Sequence, residues 1–458
     1  MQTRLSSATL LAGLAVLACP FRPAEAAGFA LRENTAIFGG YADAGAASSA
    51  DSLATITDNP AGMTYFSGTW TSAGASLIAP SMSLQASRAS SSVIPGQSYP
   101  IAGDAGQDPT VSKVIPASYF LFSPTDDLRI GLGVTVPFGL ITSYASDSQT
   151  RYQALLSEVE AYDFNPSIAY RVNNWLSVGG GFSVQKDKAK LSQAVDFGTL
   201  VPATLYQRGL INAGQLNAML ATGSGQLAND GRGDLQGTSW GVGWDVGIIV
   251  EPQPGTKLGL SYRSGINQQI QGRANFVVPA QYQSLVKAVG AFEDTHATAD
   301  LSLPGNIWAG ITQEITPQLT LDLSYQWTEW SRLKSIRVDF LNPNQPPQIE
   351  AENYQNSSFV ALGGSYKWDD QLTLRSGFAY DETPTTDQYR DYRLPDSDRY
   401  WLSVGASYQL TDSLMLSASY THLFFAGSAA TQSGEFDTVS ATENASTEVV
   451  SAEATFKF

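Results

Sequence analysis

The run Leu319-Thr320-Leu321-Asp322-Leu323-Ser324-Tyr325-Gln326-Trp327 is apolar at every odd position and polar at every even one, and the pattern recurs to the last residue. Successive side chains of a strand point to opposite faces, so this run predicts a ribbon with one apolar and one wet side. The runs Leu402-Ser403-Val404-Gly405-Ala406-Ser407-Tyr408 and Leu414-Met415-Leu416-Ser417-Ala418-Ser419-Tyr420 predict similar ribbons. In a soluble sandwich the apolar side faces a second sheet. Here many apolar runs end in Tyr, Trp or Phe, as on the lipid face of a barrel with aromatic girdles.

Short turn signals fall at Ser123-Pro124-Thr125-Asp126-Asp127, Val172-Asn173-Asn174, Thr316-Pro317, Trp368-Asp369-Asp370 and Thr411-Asp412-Ser413. Between them lie longer polar stretches near 84–110, 146–157, 191–236, 276–296, 339–352, 386–397 and 427–445. Short turns alternating with long loops are the outer-membrane pattern, and the spacing predicts an all-β transmembrane antiparallel β-barrel of about fourteen strands, with both termini periplasmic. The last strand, residues 450–458, places Ala452, Ala454, Phe456 and Phe458 on one face. Its terminal Phe458 resembles the signal read by the outer-membrane barrel assembly machinery; the alternative is an ordinary edge strand. Such a barrel encloses more space than its own side chains fill. Residues 27–66, rich in Gly and small residues and carrying Asn59-Pro60-Ala61-Gly62, are the candidate plug, leaving residues 67–458 as the barrel.

The N-terminus places the chain in the same compartment. Arg4 precedes a short apolar stretch from Leu10 to Ala18, and Ala24-Glu25-Ala26 is an A-x-A cleavage signal, so residues 1–26 read as a signal peptide and Ala27 as the mature start. A lipoprotein signal ending at Cys19 ranks second, because Leu17 and Pro20 fit it poorly. After the leader no apolar run reaches the length of a membrane-spanning helix, which excludes helical membrane proteins. The single cysteine, Cys19, falls in the leader, so no disulfide is expected. Removing Arg4, Arg22 and Glu25 with the leader turns 26 basic and 42 acidic residues into 24 and 41, a net of −17, which argues against nucleic acid.

An ordered set of short motifs then resembles the FadL-like family of outer-membrane long-chain fatty-acid and hydrocarbon transporters. It begins with Ala27-Gly28-Phe29 and Asn59-Pro60-Ala61 and continues through Pro137-Phe138-Gly139-Leu140, Arg151-Tyr152, Asn165-Pro166-Ser167 and Trp240-Gly241-Val242-Gly243-Trp244. Tyr262-Arg263-Ser264, Leu303-Pro304, Trp330-Ser331, Asp381-Glu382-Thr383-Pro384 and Leu394-Pro395-Asp396-Ser397-Asp398-Arg399-Tyr400-Trp401 complete it. The resemblance implies a monomeric barrel closed by an N-terminal hatch that includes Phe29, Asn59, Pro60 and Ala61. It also implies capture of a long-chain fatty acid or hydrocarbon outside and release sideways into outer-membrane lipid. An aromatic-hydrocarbon channel of the same family and a general porin are the alternatives.

Three sets of residues carry the expected chemistry. Pro137 and Gly139 interrupt the alternation of the third strand, with Phe138 between them. Proline within a sheet marks an edge or a bulge, so this is either a lateral gate or a bulge without a hole. Phe276, Leu285 and Val289, with Leu205, Leu216 and Met219 on an amphipathic helix expected over 203–220, either form an extracellular apolar groove or pack on each other to close the barrel mouth. Strand parity carries Arg332 and Lys334 to the lumenal face as carboxylate partners, with Arg263 behind them. The stretch after Lys190, where the family can offer a basic contact, instead reads Leu191-Ser192-Gln193. His296 and His422 are far apart, and no motif points to catalysis, a metal or a cofactor.

Overall fold

The computed structural model describes residues 28–458; the expected leader with Cys19, and Ala27, lie outside the described residues. A closed antiparallel barrel of fourteen wall strands forms the body. These are β1 Thr69–Ser91, β2 Lys113–Phe122, β3 Leu128–Ser143, β4 Leu156–Asn173, β5 Leu176–Asp196 and β6 Asp230–Gln253. Next come β7 (Thr256–Arg263 and Ile266–Val277), β8 (Thr295–Leu303 and Asn306–Glu314) and β9 (Leu319–Thr328 and Ser335–Phe340). The last are β10 Ser357–Lys367, β11 Leu372–Asp381, β12 Arg399–Thr411, β13 Leu414–Phe425 and β14 Asp437–Lys457. Pairing of β1 with β14, from Trp70 opposite Lys457 to Ser91 opposite Asp437, closes the cylinder.

The alternation sorts the faces as expected. On β9 Leu321, Leu323 and Tyr325 are 41%, 45% and 42% exposed, whereas Asp322 and Ser324 between them are 2% and 0%. The apolar side chains thus face outward, and small polar ones line the interior.

Residues 28–66 lie inside the cylinder. They contain the short helices α1 Ala36–Gly39 and α2 Thr55–Asp58 and a 3₁₀ turn, Pro60–Tyr65. Ile37, Phe38, Tyr41, Leu53, Ile56 and Met63 are buried against inward residues such as Tyr119, Trp308, Phe359 and Trp401. Wall glycines make the close approach possible: a Cβ on Gly179 would stand 2.6 Å from the Ala61 nitrogen, and one on Gly405 2.7 Å from the Gly40 Cα. Polar anchors complete the seat. Arg32 pairs with Asp381 at 3.0 Å, donates to Gln326 and stacks over Phe359, while Glu453 accepts from the Thr35 hydroxyl and the Ala36 amide.

At the long-loop end several strands run further than the polar stretches suggested; β5 reaches Asp196 and β14 starts at Asp437. The single helix expected over 203–220 is two, α3 Phe197–Gln207 and α4 Ala213–Gly223. Gly209, at φ +71°, breaks the first, and an Asn212 capping box starts the second. A further helix, α5 Gln283–Val289, forms in the loop after β7.

Candidate functional site

The wall ladder is interrupted between β2 and β3. Strand β2 pairs with β1 along its whole length, from Phe122 opposite Thr69 to Lys113 opposite Ile78. Its pairing with β3 runs only from Phe122 opposite Ile130 to Ser118 opposite Val134. Beyond that β3 leaves β2, and contact resumes only near the loops, where Thr110 bridges Thr142 and the Ser143 amide bonds the Pro109 carbonyl. The result is a window framed by residues 111–117 and 135–141.

The local sequence explains the departure. Against β4, Val136 and Pro137 of β3 oppose the single residue Tyr162, a β-bulge, and the register resumes at Phe138 opposite Ala161. Pro137 has no N–H to give a ladder. The freed backbone turns inward: the Leu31 amide donates to the Pro137 carbonyl at 2.9 Å, and the Gly139 amide donates to the Phe29 carbonyl at 3.0 Å. Gly139 is not among the positive-φ residues, so its glycine is not needed for a left-handed backbone. It serves through space, since a Cβ there would meet Leu31 Cδ1 at 2.8 Å. Phe29 packs edge-on against Phe138 (5.9 Å) and Trp330 (4.9 Å), and Tyr354 closes the other side of Trp330. The expected residues Phe29, Pro137, Phe138 and Gly139 therefore meet at one spot, while Asn59, Pro60 and Ala61 sit lower, against Gly179 and Gly247.

Three cavities share lining residues in sequence. At the long-loop end a vestibule of about 980 Å³ is lined by Leu191, Leu200, Leu235, Phe276, Phe292, Phe340, Arg393 and other loop residues. Leu191 and Leu235 also line an apolar pocket of about 80 Å³, with Val159, Ile270, Leu301 and Val338. Val159 in turn lines a cavity of about 200 Å³ at the window, bounded by Ile115, Pro116, Leu140, Leu394 and Phe425. No sequence motif marked Val159 or Leu235. Leu191 belongs to the stretch that departs from the family pattern.

The loop residues divide between packing and lining. Leu205 on α3 and Leu285 on α5 pack into a cluster with Phe197, Val201 and Val286. Phe197 stacks on Tyr282 at 5.8 Å and meets Phe292 edge-on at 5.1 Å. Leu216 is fully buried on α4, and Met219 and Val289 are half-buried. Of the six apolar candidates only Phe276 lines the vestibule. Arg332 and Lys334 line none of the three cavities. A 3₁₀ turn, Trp330–Arg332, interrupts β9, and Arg332 bonds Glu329 and Asn267, whereas Lys334 is exposed. Arg263 is committed to Asp163 at 2.5 Å. His422 bonds Glu448 at 2.8 Å on β14, while His296 lies on β8.

Charge in the outer loops is dense and mostly paired. Arg151, fully buried, binds Asp230 at 2.6 Å and the Ala102 carbonyl, tying three loops together. Arg393 pairs with Glu350 at 2.9 Å and also donates to Gln193, so a guanidinium stands beside the residue where a basic side chain was missing. Burial and the Glu350 charge push the nearby Asp391 carboxyl up to about 7. Burial raises Asp396 to about 6, although Arg399 opposes the shift and Asp396 accepts from Thr383 and the Gly28 amide.

This architecture has close counterparts. The chain superimposes on a Pseudomonas aeruginosa FadL homologue with a TM-score of 0.84 at 21% identity, covering 94% of this chain and 100% of that one. It superimposes on the Pseudomonas putida toluene transporter TodX with a TM-score of 0.66 at 16% identity, covering 94% and 99%. At these identities the likeness is one of fold. In sequence it is 29% identical over 407 residues to the long-chain fatty acid transport protein of Escherichia coli K12, covering 87% of this chain and 88% of the relative. It is also 29% identical over 413 residues to outer membrane protein P1 of Haemophilus influenzae, covering 87% and 86%. A family model described as Outer membrane protein transport protein (OMPP1/FadL/TodX) matches residues 17–458, nearly the whole chain, and the chain therefore belongs to that family.

Proposed function

We propose that the protein carries long-chain fatty acids, or amphiphiles of similar shape, through the outer membrane without covalent chemistry. Ligand enters the vestibule, passes the waist at Leu191, Leu235 and Val159, and leaves sideways through the window between β2 and β3. The observation that carries this reading is the window itself, continuous through shared residues with the apolar waist. A hole in the wall leads to lipid, and only a molecule with an apolar body gains by taking it. Each methylene moved from water to hydrocarbon contributes about 0.8 kcal/mol, so the overall transfer from the medium to the lipid runs downhill.

Residues 28–66 act as the hatch that keeps the lumen closed to water, which argues against a general porin. Phe276 and the α3 and α5 cluster form the mouth where ligand first binds, and Phe458 directs assembly through the barrel machinery. The transporter works as a monomer in outer-membrane lipid. The test is uptake of a labelled long-chain fatty acid by cells dependent on this protein, with a same-length alcohol, toluene and a small sugar as competing cargo. Saturable fatty-acid uptake supports the reading. Sugar flux through the intact protein would establish the porin, and toluene uptake alone would establish the aromatic-hydrocarbon channel.

A further inference from the structure

The window carries an ion-pair group that none of the expected chemistry used. Lys113, the first residue of β2, reaches past β3 to β4, where its ammonium lies 2.7 Å from Glu160 and 3.6 Å from Glu158. It is the β2 side of the frame and lines the window cavity together with both carboxylates. Glu158 and Glu160 occupy the outward-facing register positions of β4, in line with the exposed Tyr162 and Phe164. Each has a second partner on β5: Lys190 at 2.6 Å from Glu158 and Lys188 at 3.5 Å from Glu160. An ordinary cross-strand pair joins neighbouring strands. This one joins strands that are not neighbours, across the stretch where the strand between them has left its partner.

The stoichiometry matters. Three ammonium groups share two carboxylates, so the group lacks one anion. Each glutamate would keep a lysine if Lys113 turned away, and neither would be left as an unpaired charge near lipid, which is the costly outcome. Lys113 is thus the exchangeable member, and its side chain is 39% exposed. We propose that Lys113 is the residue that selects cargo at the exit. It closes the window by bridging to Glu160 and Glu158, and it releases them to take the carboxylate of a departing amphiphile. Headgroup exchange then opens the window for carboxylate-bearing ligands and leaves it bridged against neutral hydrocarbons. This inference rests on the fatty-acid and lateral-exit reading above.

The experiment measures initial uptake rates of a labelled long-chain fatty acid and of the primary alcohol of equal length, in cells expressing the wild type, K113Q, K113R, K188Q or K190Q at matched amounts of folded barrel. The pair is half-exposed and screened by solvent, so K113Q should lower the acid-to-alcohol rate ratio only roughly threefold to fivefold, partly by admitting more alcohol. K113R should keep the ratio, and so should K188Q and K190Q, which leave Lys113 in place. An unchanged ratio in K113Q, with acid uptake intact in the wild type, overturns the role of Lys113 and leaves the transport reading standing. An equal drop in K188Q and K190Q overturns it as well, because the effect would then be general charge at the rim. Wild-type cells that take up neither lipid overturn both readings together.

Discussion

Asn59 is where the seating of the N-terminal segment can be tested most sharply. Its carboxamide is fully buried; Nδ2 donates to the Ala47 carbonyl at 2.7 Å and to the Ile248 carbonyl of β6 at 3.2 Å, and Oδ1 accepts from the Ala61 amide at 3.2 Å. N59A removes all three bonds. Ile248 remains in its strand ladder, but the Ala47 carbonyl and the Ala61 amide lose a partner away from water. At about 1–3 kcal/mol for each orphaned group, the seated state loses about 2–6 kcal/mol relative to an unseated one. Even 3 kcal/mol shifts the ratio of seated to unseated segment by on the order of 10². The assay is conductance of the purified barrel in a planar bilayer: N59A should show frequent open events where the wild type is closed, and deletion of residues 29–62 should mark the fully open limit. G247A approaches the same contact from the wall, since its Cβ would fall on the Asn59 carboxamide and stand 3.1 Å from Pro60. The double variant N59A/G247A should cost less than the two singles combined, because the new methyl fills the space the carboxamide left. Wild-type conductance in correctly folded N59A, or strict additivity of the pair, would show that this contact does not hold the lumen closed.

Other outcomes are expected on the same footing. P137V/G139T supplies the missing N–H and β-favouring side chains, so the window should narrow; uptake of labelled fatty acid should fall towards the level of cells without the protein, while equilibrium binding in detergent persists. Truncating Trp330, which is 1% exposed between Phe29 and Tyr354, should cost about 3–5 kcal/mol and lower the temperature at which the barrel loses its compact gel mobility. Asp391 holds its proton more tightly in the folded loop, so its contribution is full below the ordinary carboxylate range near about 4 and is lost as pH rises through about 7. Amides of residues 383–397 should therefore exchange faster at pH 8 than at pH 5 after correction for intrinsic rates, and D391N should reduce the difference, the remainder coming from Asp396, which burial raises to about 6. Deleting Phe458, which is 79% exposed, should lower the amount of barrel in the outer membrane, read by surface labelling, without changing the heat stability of the barrels that do assemble.

Strand count and facing were legible because each follows from a local rule: a period of two fixes the face, and the turn signals fix where each strand ends. Parity failed for Arg332 because it assumes an unbroken strand, and Trp330–Arg332 forms a 3₁₀ turn instead. The break between α3 and α4 was signalled by Gly209, which apolar spacing alone passes over. Lys113, Val159 and Leu235 could not be found from the sequence. Lys113 meets Glu160 only because β3 steps aside, and the waist joins residues from β4, β5, β6, β7, β8 and β9 whose shared position depends on the barrel's closure. Gln193 shows the reverse: the sequence marks a missing basic residue, while the structure brings Arg393 to it from a loop two hundred positions away.

The window and the N-terminal segment are parts of one arrangement. Where β3 leaves β2 it needs new partners, and it finds them in the Leu31 amide and the Phe29 carbonyl. Without residues 29–31 the Pro137 carbonyl and the Gly139 amide would face the lumen unpaired, at about 1–3 kcal/mol each if kept dry. Their available remedies are water entering the lumen or β3 moving back towards β2. The first opens the barrel from within and the second narrows the window. Displacing the segment should therefore change the lateral path as well as the axial one, so a leaking N59A barrel should also carry fatty acid at an altered rate. The Phe29, Phe138 and Trp330 rings stand between the two paths, and a ligand tail pressing on them acts on the seal and on the window at once.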